Sequence, residues 1–269
     1  MTGSLLLLFC RKELRDLRTN RQVWPGYLIL PILGLILPVA LIVTAPLVSS
    51  AVELDPGIRL LVDTVQRDPS LTGATIAERL ARLIMRDFGL WFLFMPVVLA
   101  AGPAGLSIVR EKEQRTLEPI LATPLGDREL VLSKLVGALG PALLWTWASA
   151  IASYAVSTLA AAVQFGAVIG PTPGNLVGIV LLGPVLAAAA SLAGIGASAR
   201  FIDSQSVNMF VGVVIVPLTL IVLGVAGRPA MASPVLGLAA TGMGLVICAA
   251  LFGPAVRKLR REELLTRWR

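Results

Sequence analysis

The sequence has 269 residues, of which 56% are hydrophobic and only 14% are charged, and its formal net charge is +7. A soluble domain carries about a quarter charged residues, and apolar runs as long as these do not fit a single water-soluble core, so the composition indicates an integral membrane protein. The basic residues are not interleaved with aromatic side chains, which argues against nucleic-acid binding, and Cys10 and Cys248 lack the spacing of a metal site.

Residues 1–23 are predicted to form an interfacial helix. Leu14 and Leu17 fall near one face, and the basic residues of this segment lie elsewhere. A basic amphipathic helix of this kind lies in the plane of the membrane surface and leads into the first span, with Trp24 at headgroup depth. A frayed basic terminus is the alternative interpretation.

Charge-free runs predict six membrane-spanning helices, because each is longer than the roughly 20 residues needed to cross about 30 Å of hydrocarbon. The charge-free run 135–199 is too long for one span and breaks at the turn-forming cluster 170–175. Every span has proline within it or at its edge, so neighbouring helices are expected to bind the carbonyls that proline leaves without a partner. The predicted fold is an all-α, polytopic, single transmembrane domain over residues 1–269, with spans at about 24–48, 88–109, 135–163, 175–199, 204–227 and 234–256.

The segment 49–87 is the one long loop on its side of the membrane. Two short helices are predicted in it, over 57–67 and 75–87, and the second opens with a capping-box pattern at Thr75 and Glu78. Two roles stay open for this loop: a lid over an exit, or a small cap that does not contact a substrate.

Lysine and arginine are distributed unequally between the two sides of the predicted spans. Seventeen lie on the side of the N-terminus, the segment 110–134, Arg200 and the basic tail 257–269, and six lie on the other side. Because basic residues accumulate on the cytoplasmic side, both termini and the segment 110–134 are predicted to be cytoplasmic.

The segment 109–134 holds ten charged residues and is followed by 65 residues without any charge. Arg110–Glu113 is predicted to continue the second span beyond the membrane, and Asp127 is predicted to cap the helix of the third span. Between them, 116–122 is predicted to form a short helix with Leu117, Ile120 and Leu121 on an apolar face. A short helix of this kind, held below the bilayer, fits a groove on a soluble partner.

The same residues resemble the segment after the second span in permease subunits of ATP-binding-cassette transporters of the type-2 exporter family. The matching residues are Arg110–Glu113, Thr116-Leu117-Glu118, Leu121, Thr123-Pro124 and Lys134. The chain departs from the family pattern at Arg115 and Pro119. The resemblance covers nearly the whole chain and implies that 116–122 is a coupling helix seated on an ATPase subunit. The coupling residues that it implies are Glu111, Glu113, Thr116, Leu117, Glu118, Ile120, Leu121, Thr123 and Pro124.

The resemblance also implies a working unit of two permease subunits, identical or different, and two ATPases that hold ATP and magnesium. The chain itself has no P-loop, because none of its four lysines is followed by serine or threonine. It has no histidine, so it lacks the commonest general base and zinc ligand. We therefore expect a non-catalytic transport subunit without a cofactor of its own, in a bacterial plasma membrane.

Two other classes of protein remain alternatives. An ion-coupled carrier or membrane enzyme needs ionisable residues within the spans, and none of the predicted spans contains one. A membrane scaffold would bind a soluble partner without an ATPase. The uncharged spans favour an apolar or amphipathic cargo. The serines at 149, 153 and 157 recur every four residues, which favours close helix packing over a substrate path.

Overall fold

The computed structural model describes residues 15, 24–50, 55–114, 126–198, 201, 203–224 and 233–258. The predicted interfacial helix, apart from Arg15, lies outside the described residues. So do residues 115–125, which hold the whole predicted coupling helix 116–122, and residues 259–269 of the basic tail.

The described residues form helices and no strand, which confirms the all-α fold class. The helices are α1 Trp24–Ser50, α2 Pro56–Arg67, α3 Ile76–Asp87, α4 Gly89–Glu113, α5 Asp127–Phe165, α6 Pro173–Ser198, α7 Ser204–Val222 and α8 Pro234–Lys258. Two of them contain a π-helical turn: α6 at Gly178–Leu182, and α7, which continues from Ser204–Phe210 through Val211–Ile215 to Val216–Val222.

Five of these helical segments are long and apolar enough to cross a bilayer: α1, α3 together with α4, α5, α6 and α8. The remaining predicted span, 204–227, corresponds to α7, and the count of six spans stays a prediction. Two helices extend well beyond their predicted spans. The helix α4 continues past its predicted end to Glu113, and α5 begins before its predicted start, at Asp127. We call the end of the bundle that holds these two residues the junction end, and the opposite end, which holds α2 and α3, the cap end.

The helix α4 lies at the centre of the bundle, where it packs against α1, α5, α6 and α7, while α8 packs mainly against α6. Most of the α4 side chains are buried, including Phe92, Met95 and Ile108. The helices α1, α5 and α8 instead expose large apolar side chains such as Ile151 and Val235. An apolar outer surface around a partly polar interior is the arrangement expected of a protein whose solvent is lipid.

Glycine allows α4 and α6 to approach each other closely. A Cβ atom placed on Gly194 of α6 would lie 3.0 Å from the Ala101 carbonyl oxygen and 3.3 Å from the Gly105 nitrogen of α4. Both neighbours are backbone atoms, which cannot rotate away as a side chain can. The contact between these helices therefore requires a residue without a side chain at position 194.

The expected rescue of proline-freed carbonyls is observed between α1 and α5. Proline at position 38 has no N–H to donate to the carbonyl of Gly34 four residues earlier. The Ser153 hydroxyl of α5 donates to that carbonyl oxygen over 2.8 Å, and Ser149 donates to the Pro31 carbonyl oxygen over 3.3 Å. Ser149 and Ser153 therefore join α5 to α1. This agrees with the prediction that they serve close helix packing.

A second rescue joins α1 to α4. Pro103 leaves the Leu99 carbonyl without its usual helical donor, and the Tyr27 hydroxyl donates to that oxygen over 3.2 Å. The Tyr27 side chain is buried. Because a buried carbonyl without a donor is costly in lipid, these side chains make the prolines tolerable.

We expect Ser153→Ala to destabilise the protein by about 1–2 kcal/mol, because the Gly34 carbonyl would lose its donor. Ser157→Ala is the matched control: it lies one turn further along α5 and is fully buried, but its hydroxyl has no hydrogen-bond partner among the described residues. Thermal unfolding in detergent should show a lower midpoint for Ser153→Ala and little change for Ser157→Ala. Equal losses would mean that burial, and not the freed carbonyl, decides the effect.

The loop at the cap end folds as two short helices that pack on α1. Asp55 caps α2, and Thr75 caps α3 by accepting a hydrogen bond from the Glu78 N–H over 3.2 Å. The Glu78 carboxylate accepts from the Ala74 N–H, one residue before the position that a capping box would use. Local sequence thus fixes where both helices begin.

An ion pair and a buried amide hold α3 in place. Arg86 lies 2.9 Å from the Asp68 carboxylate, and the Ser70 hydroxyl and Arg86 lower the pKa of Asp68. The Asn175 side chain of α6 is fully buried and donates to the Met85 carbonyl of α3 and to the Tyr154 hydroxyl of α5, both over 2.9 Å. Since only Phe88 separates α3 from α4, the cap end is fixed to the central helix.

Candidate functional site

The last turn of α4 carries four consecutive charged residues, Arg110–Glu113. The last three of them, Glu111, Lys112 and Glu113, each contact a different helix. Glu111 and Lys112 are buried, while Glu113 is exposed. Together with Lys134 of α5 they form what we call the charged junction. It lies where α4 ends and the chain continues toward residues 115–125.

Glu111 connects α4 to α5. Its carboxylate lies 2.9 Å from the Lys134 ammonium group, and both side chains are almost completely shielded from solvent, with 7% and 1% of their surface exposed. The Lys134 ammonium also lies 3.5 Å from the Ser107 carbonyl oxygen. Each charge offsets the desolvation of the other, so neither can be removed alone without leaving a buried charge.

Lys112 connects α4 to the end of α6. Its ammonium group donates to the Ser198 carbonyl oxygen and to the Phe201 carbonyl oxygen, each over 3.2 Å. The last carbonyls of a helix have no partner within the helix and carry partial negative charge. A lysine at this position therefore stabilises the C-terminus of α6 and fixes its distance from α4.

Glu113 connects α4 to the start of α7. Its carboxylate accepts hydrogen bonds from the Ser204 N–H over 2.9 Å and from the Ser204 hydroxyl over 2.8 Å. Asp203 caps the same helix by accepting from the Ser206 N–H over 2.7 Å, and the bonds from Ser206 lower the pKa of Asp203. Two carboxylates thus stabilise the positive end of α7.

Three residues in sequence therefore connect one helix to three others. Because α-helix side chains at successive positions point about 100° apart, adjacent charges on the central helix can reach different neighbours. An apolar cluster that includes Ile108, Leu130 and Ile195 lies beside the charged junction and joins α4, α5 and α6. A displacement of the end of α4 is thus coupled by both polar and apolar contacts to α5, α6 and α7.

Two of the predicted coupling residues, Glu111 and Glu113, are described, and the structure places both carboxylates against helices of the same chain. The other predicted coupling residues lie outside the described part of the chain: Thr116, Leu117, Glu118, Ile120, Leu121, Thr123 and Pro124.

The prediction that Asp127 caps α5 is wrong by one residue. The N-cap is Gly126, whose N–H donates to the Glu129 carboxylate over 3.0 Å, while Asp127 lies in the first turn. Sequence analysis also gave no contact role to Lys112 or Ser204. A usable signal was that Lys134 directly precedes the charge-free run 135–199 and that Lys112 lies three residues after the run that ends at Val109, because a lysine near a span edge can reach helix ends.

No group of three or more His, Cys, Asp or Glu side chains in the described ranges is arranged to hold a metal ion. The buried charges of the charged junction are instead engaged with one another and with backbone groups. Their contacts hold the end of α4 against α5, α6 and α7, so their role is structural.

The sequence was compared with protein-family models. The family described as ABC-2 family transporter protein matches residues 7–247, which is most of the chain. No curated protein matched the sequence. The match includes all of the charged junction and all the long helices except the end of α8. Together with the long apolar helices, it shows a multi-pass membrane protein, and the chain belongs to the ABC-2 family of transporter proteins.

Proposed function

We propose that this permease is the membrane subunit of an ATP-driven exporter and that a separate ATPase drives it through residues 110–134. The observation that carries the proposal is the charged junction. Its residues Glu111, Lys112 and Glu113 lie shortly before 115–125 in the sequence and contact α5, α6 and α7. Family membership supports the ATPase partner, which would hold the ATP and magnesium. The chain would supply no catalytic residue.

The coupling step follows from the contacts of α4. A short helix over 116–122 would sit in a groove of the ATPase, with Leu117, Ile120 and Leu121 as its apolar contacts. Closure of the ATPase pair would move this segment, and α4 would pass the movement to α5, α6 and α7 through the charged junction. The helices would then change between inward-open and outward-open arrangements.

The assembly that we propose contains two permease subunits, identical or different, and two ATPases in a bacterial plasma membrane. Both termini would be cytoplasmic, and α7 would be the fifth of six spans. The cargo would be apolar or amphipathic, because the membrane-embedded helices contribute hydroxyls, amides and backbone groups where an ion carrier would need charges.

The double substitution Leu117→Asp and Leu121→Asp tests the docking step. We expect it to prevent co-purification of the P-loop ATPase co-expressed from the neighbouring reading frame, because two carboxylates would be buried in an apolar groove without partners. Membrane insertion and the thermal midpoint of the permease alone should not change. The measurement is the ratio of ATPase to permease after affinity purification.

The matched control is Gln205→Asp together with Asn208→Asp, which adds the same two charges at exposed positions of the junction end outside the segment 110–134. It should retain the ATPase. If the ATPase co-purifies with the Leu117→Asp and Leu121→Asp variant as well as with the control, the docking assignment is wrong. If no P-loop protein binds the unsubstituted chain, the scaffold alternative is favoured instead.

A further inference from the structure

The short helix α2 at the cap end has three faces of different chemical character. Residues that are three, four and seven positions apart share one face of a helix, so the faces can be assigned from sequence spacing and exposure. One face packs against the bundle and consists of Ile58, Val62 and Val65, of which both valines are buried. A second face is polar and consists of Arg59, Asp63 and Gln66.

The third face of α2 is exposed and largely apolar. It consists of Gly57, Leu60, Leu61 and Thr64, and we call it the leucine face. Leu60 is 70% exposed and Leu61 is 42% exposed. The Thr64 hydroxyl donates to the Leu60 carbonyl oxygen over 2.7 Å, so the hydroxyl on this face has a partner within its own helix. The leucine face can therefore contact hydrocarbon without leaving that donor unsatisfied.

The depth of α2 in the membrane follows from its packing on α1. Val65 belongs to one buried apolar cluster with Ala45 of α1 and Leu80 of α3. Along α1, Ala45 lies about 32 Å from Trp24 at 1.5 Å per residue, which is close to the thickness of the hydrocarbon core. With Trp24 at headgroup depth on one side of the bilayer, Ala45 reaches the headgroup region on the other side. The helix α2 thus lies beside the last turns of α1, at this second membrane surface.

An ion pair limits how deeply the cap end can enter the bilayer. Asp68 directly follows α2 and lies 2.9 Å from Arg86 of α3, and both side chains are partly exposed. Partly exposed charges are tolerated among headgroups but are costly in the hydrocarbon core. The end of α2 is therefore held at the boundary between headgroups and acyl chains.

The surface of α1 at the same depth has the properties of a lipid contact. Val43 is exposed and Leu47 is 69% exposed. Three neighbouring hydroxyls donate to carbonyl oxygens of α1 itself, over 2.8–2.9 Å; they belong to Thr44, Ser49 and Ser50. Open apolar side chains beside internally satisfied hydroxyls suit lipid better than water. The leucine face continues this lipid-facing surface of α1 at the cap end.

The three faces of α2 match the three surroundings of a helix that lies in the plane of a membrane surface. At about 100° per residue, each face takes roughly a third of the circumference. A helix in this plane meets protein on one side, acyl chains below and water above. The buried, leucine and polar faces supply one surface for each.

We infer that α2 is a membrane-surface helix, which inserts the leucine face into the acyl chains of the leaflet at the cap end and keeps its polar face among headgroups and water. The inference goes beyond the proposed function, because it concerns a lipid contact that requires no ATPase. It gives the loop 49–87 the role of an anchor. Since only Phe88 separates α3 from α4, the anchor is connected to the central helix.

Spin-label depth measurements test this contact in the full-length chain, in vesicles of phosphatidylethanolamine and phosphatidylglycerol. In a chain with Cys10→Ser and Cys248→Ser, a nitroxide is attached to Leu60→Cys. The matched control is Gln66→Cys, at an exposed position on the polar face of the same helix. Ile151→Cys is the lipid reference, because Ile151 is 72% exposed on the outer surface of α5. Collisions with oxygen, which concentrates in hydrocarbon, and with a water-soluble nickel complex report the depth of each label.

We expect the ratio of oxygen collisions to nickel collisions to be several-fold higher at Leu60→Cys than at Gln66→Cys, and highest at Ile151→Cys. Equal ratios at Leu60→Cys and Gln66→Cys would place the leucine face in water. Few collisions with either reagent at Leu60→Cys would show that protein covers the face, and dipolar broadening between labels of two chains would identify that protein as a second copy. Each of these results overturns the inference.

A label at Leu61→Cys gives a second measurement on the leucine face if Leu60→Cys lowers the thermal midpoint of the chain. None of these measurements requires the ATPase, so they separate this inference from the docking of the coupling segment. A chain that binds the ATPase but has its leucine face in water would refute only the lipid contact. A chain with a lipid-embedded leucine face that binds no ATPase would refute only the proposed drive.

Discussion

Lys134→Met is expected to destabilise the folded permease by about 3–5 kcal/mol, the largest effect that we predict for a single side chain of the charged junction. The substitution leaves the Glu111 carboxylate buried beside methionine in place of an ammonium group 2.9 Å away. A carboxylate that is shielded from water and loses a neighbouring ammonium group is destabilised in its charged form, so the fold loses stability. Thermal unfolding of detergent-solubilised protein measures the loss.

The double variant Glu111→Leu with Lys134→Met separates charge from packing. Replacing both members of a buried ion pair by apolar residues is often neutral for stability, so the thermal midpoint should recover most of the loss. Arg128→Met is the control for removing a basic side chain from α5, since Arg128 is exposed and makes no ion pair with a described residue. A double variant as unstable as Lys134→Met would show that the pair is not the source of the effect.

Gly194→Val is expected to disrupt the contact between α4 and α6. The first added carbon would lie 3.0 Å from the Ala101 carbonyl oxygen, and the two further methyl groups of valine have no space between the helix backbones. Overpacking of this kind costs about 1–3 kcal/mol and more where the neighbours cannot move. Because α4 and α6 also meet at the charged junction, separation of these helices should weaken the Lys112 contacts with Ser198 and Phe201.

The control for this substitution is Gly242→Ala in α8, where an added Cβ would have no neighbour within 4 Å. Alanine has the higher helix propensity, so Gly242→Ala should leave the midpoint unchanged or raise it. The thermal midpoint of Gly194→Ala should lie between those of Gly194→Val and Gly242→Ala. If Gly194→Val and Gly242→Ala unfold at the same temperature, α4 and α6 are not packed as the structure has them.

The parts of the fold that depend on neighbours in sequence were predictable. Pro56 and Thr75 mark the starts of α2 and α3 at the cap end, because capping and proline preferences act within a few residues. The general need for carbonyl donors near proline was predictable as well. Their identity was not, because Ser153 and Gly34 are 119 residues apart and a single sequence contains no signal that pairs them.

The charged junction was predictable only in part. The mixed charges of Arg110–Glu113 predicted that the second span continues as a helix, and the family resemblance implied that Glu111 and Glu113 belong to the coupling segment. The structure instead directs them to Lys134 and Ser204, because α4 is the central helix and neighbours surround its last turn. The π-helical turns were also missed, since Pro184 and Pro217 predict a kink but not which carbonyl it frees.

The central claim is that the end of α4 moves as one body with the start of α7 when the ATPase acts. Spin labels at Gln114 and Gln205, both exposed and each one residue from the Glu113–Ser204 contact, measure this directly. In the complex with the ATPase, their distance should be the same in the nucleotide-free and ATP-trapped states, while the distance between the Gln114 labels of the two permease subunits changes. A change in the Gln114–Gln205 distance on ATP binding would show that the charged junction opens, and it would contradict the account.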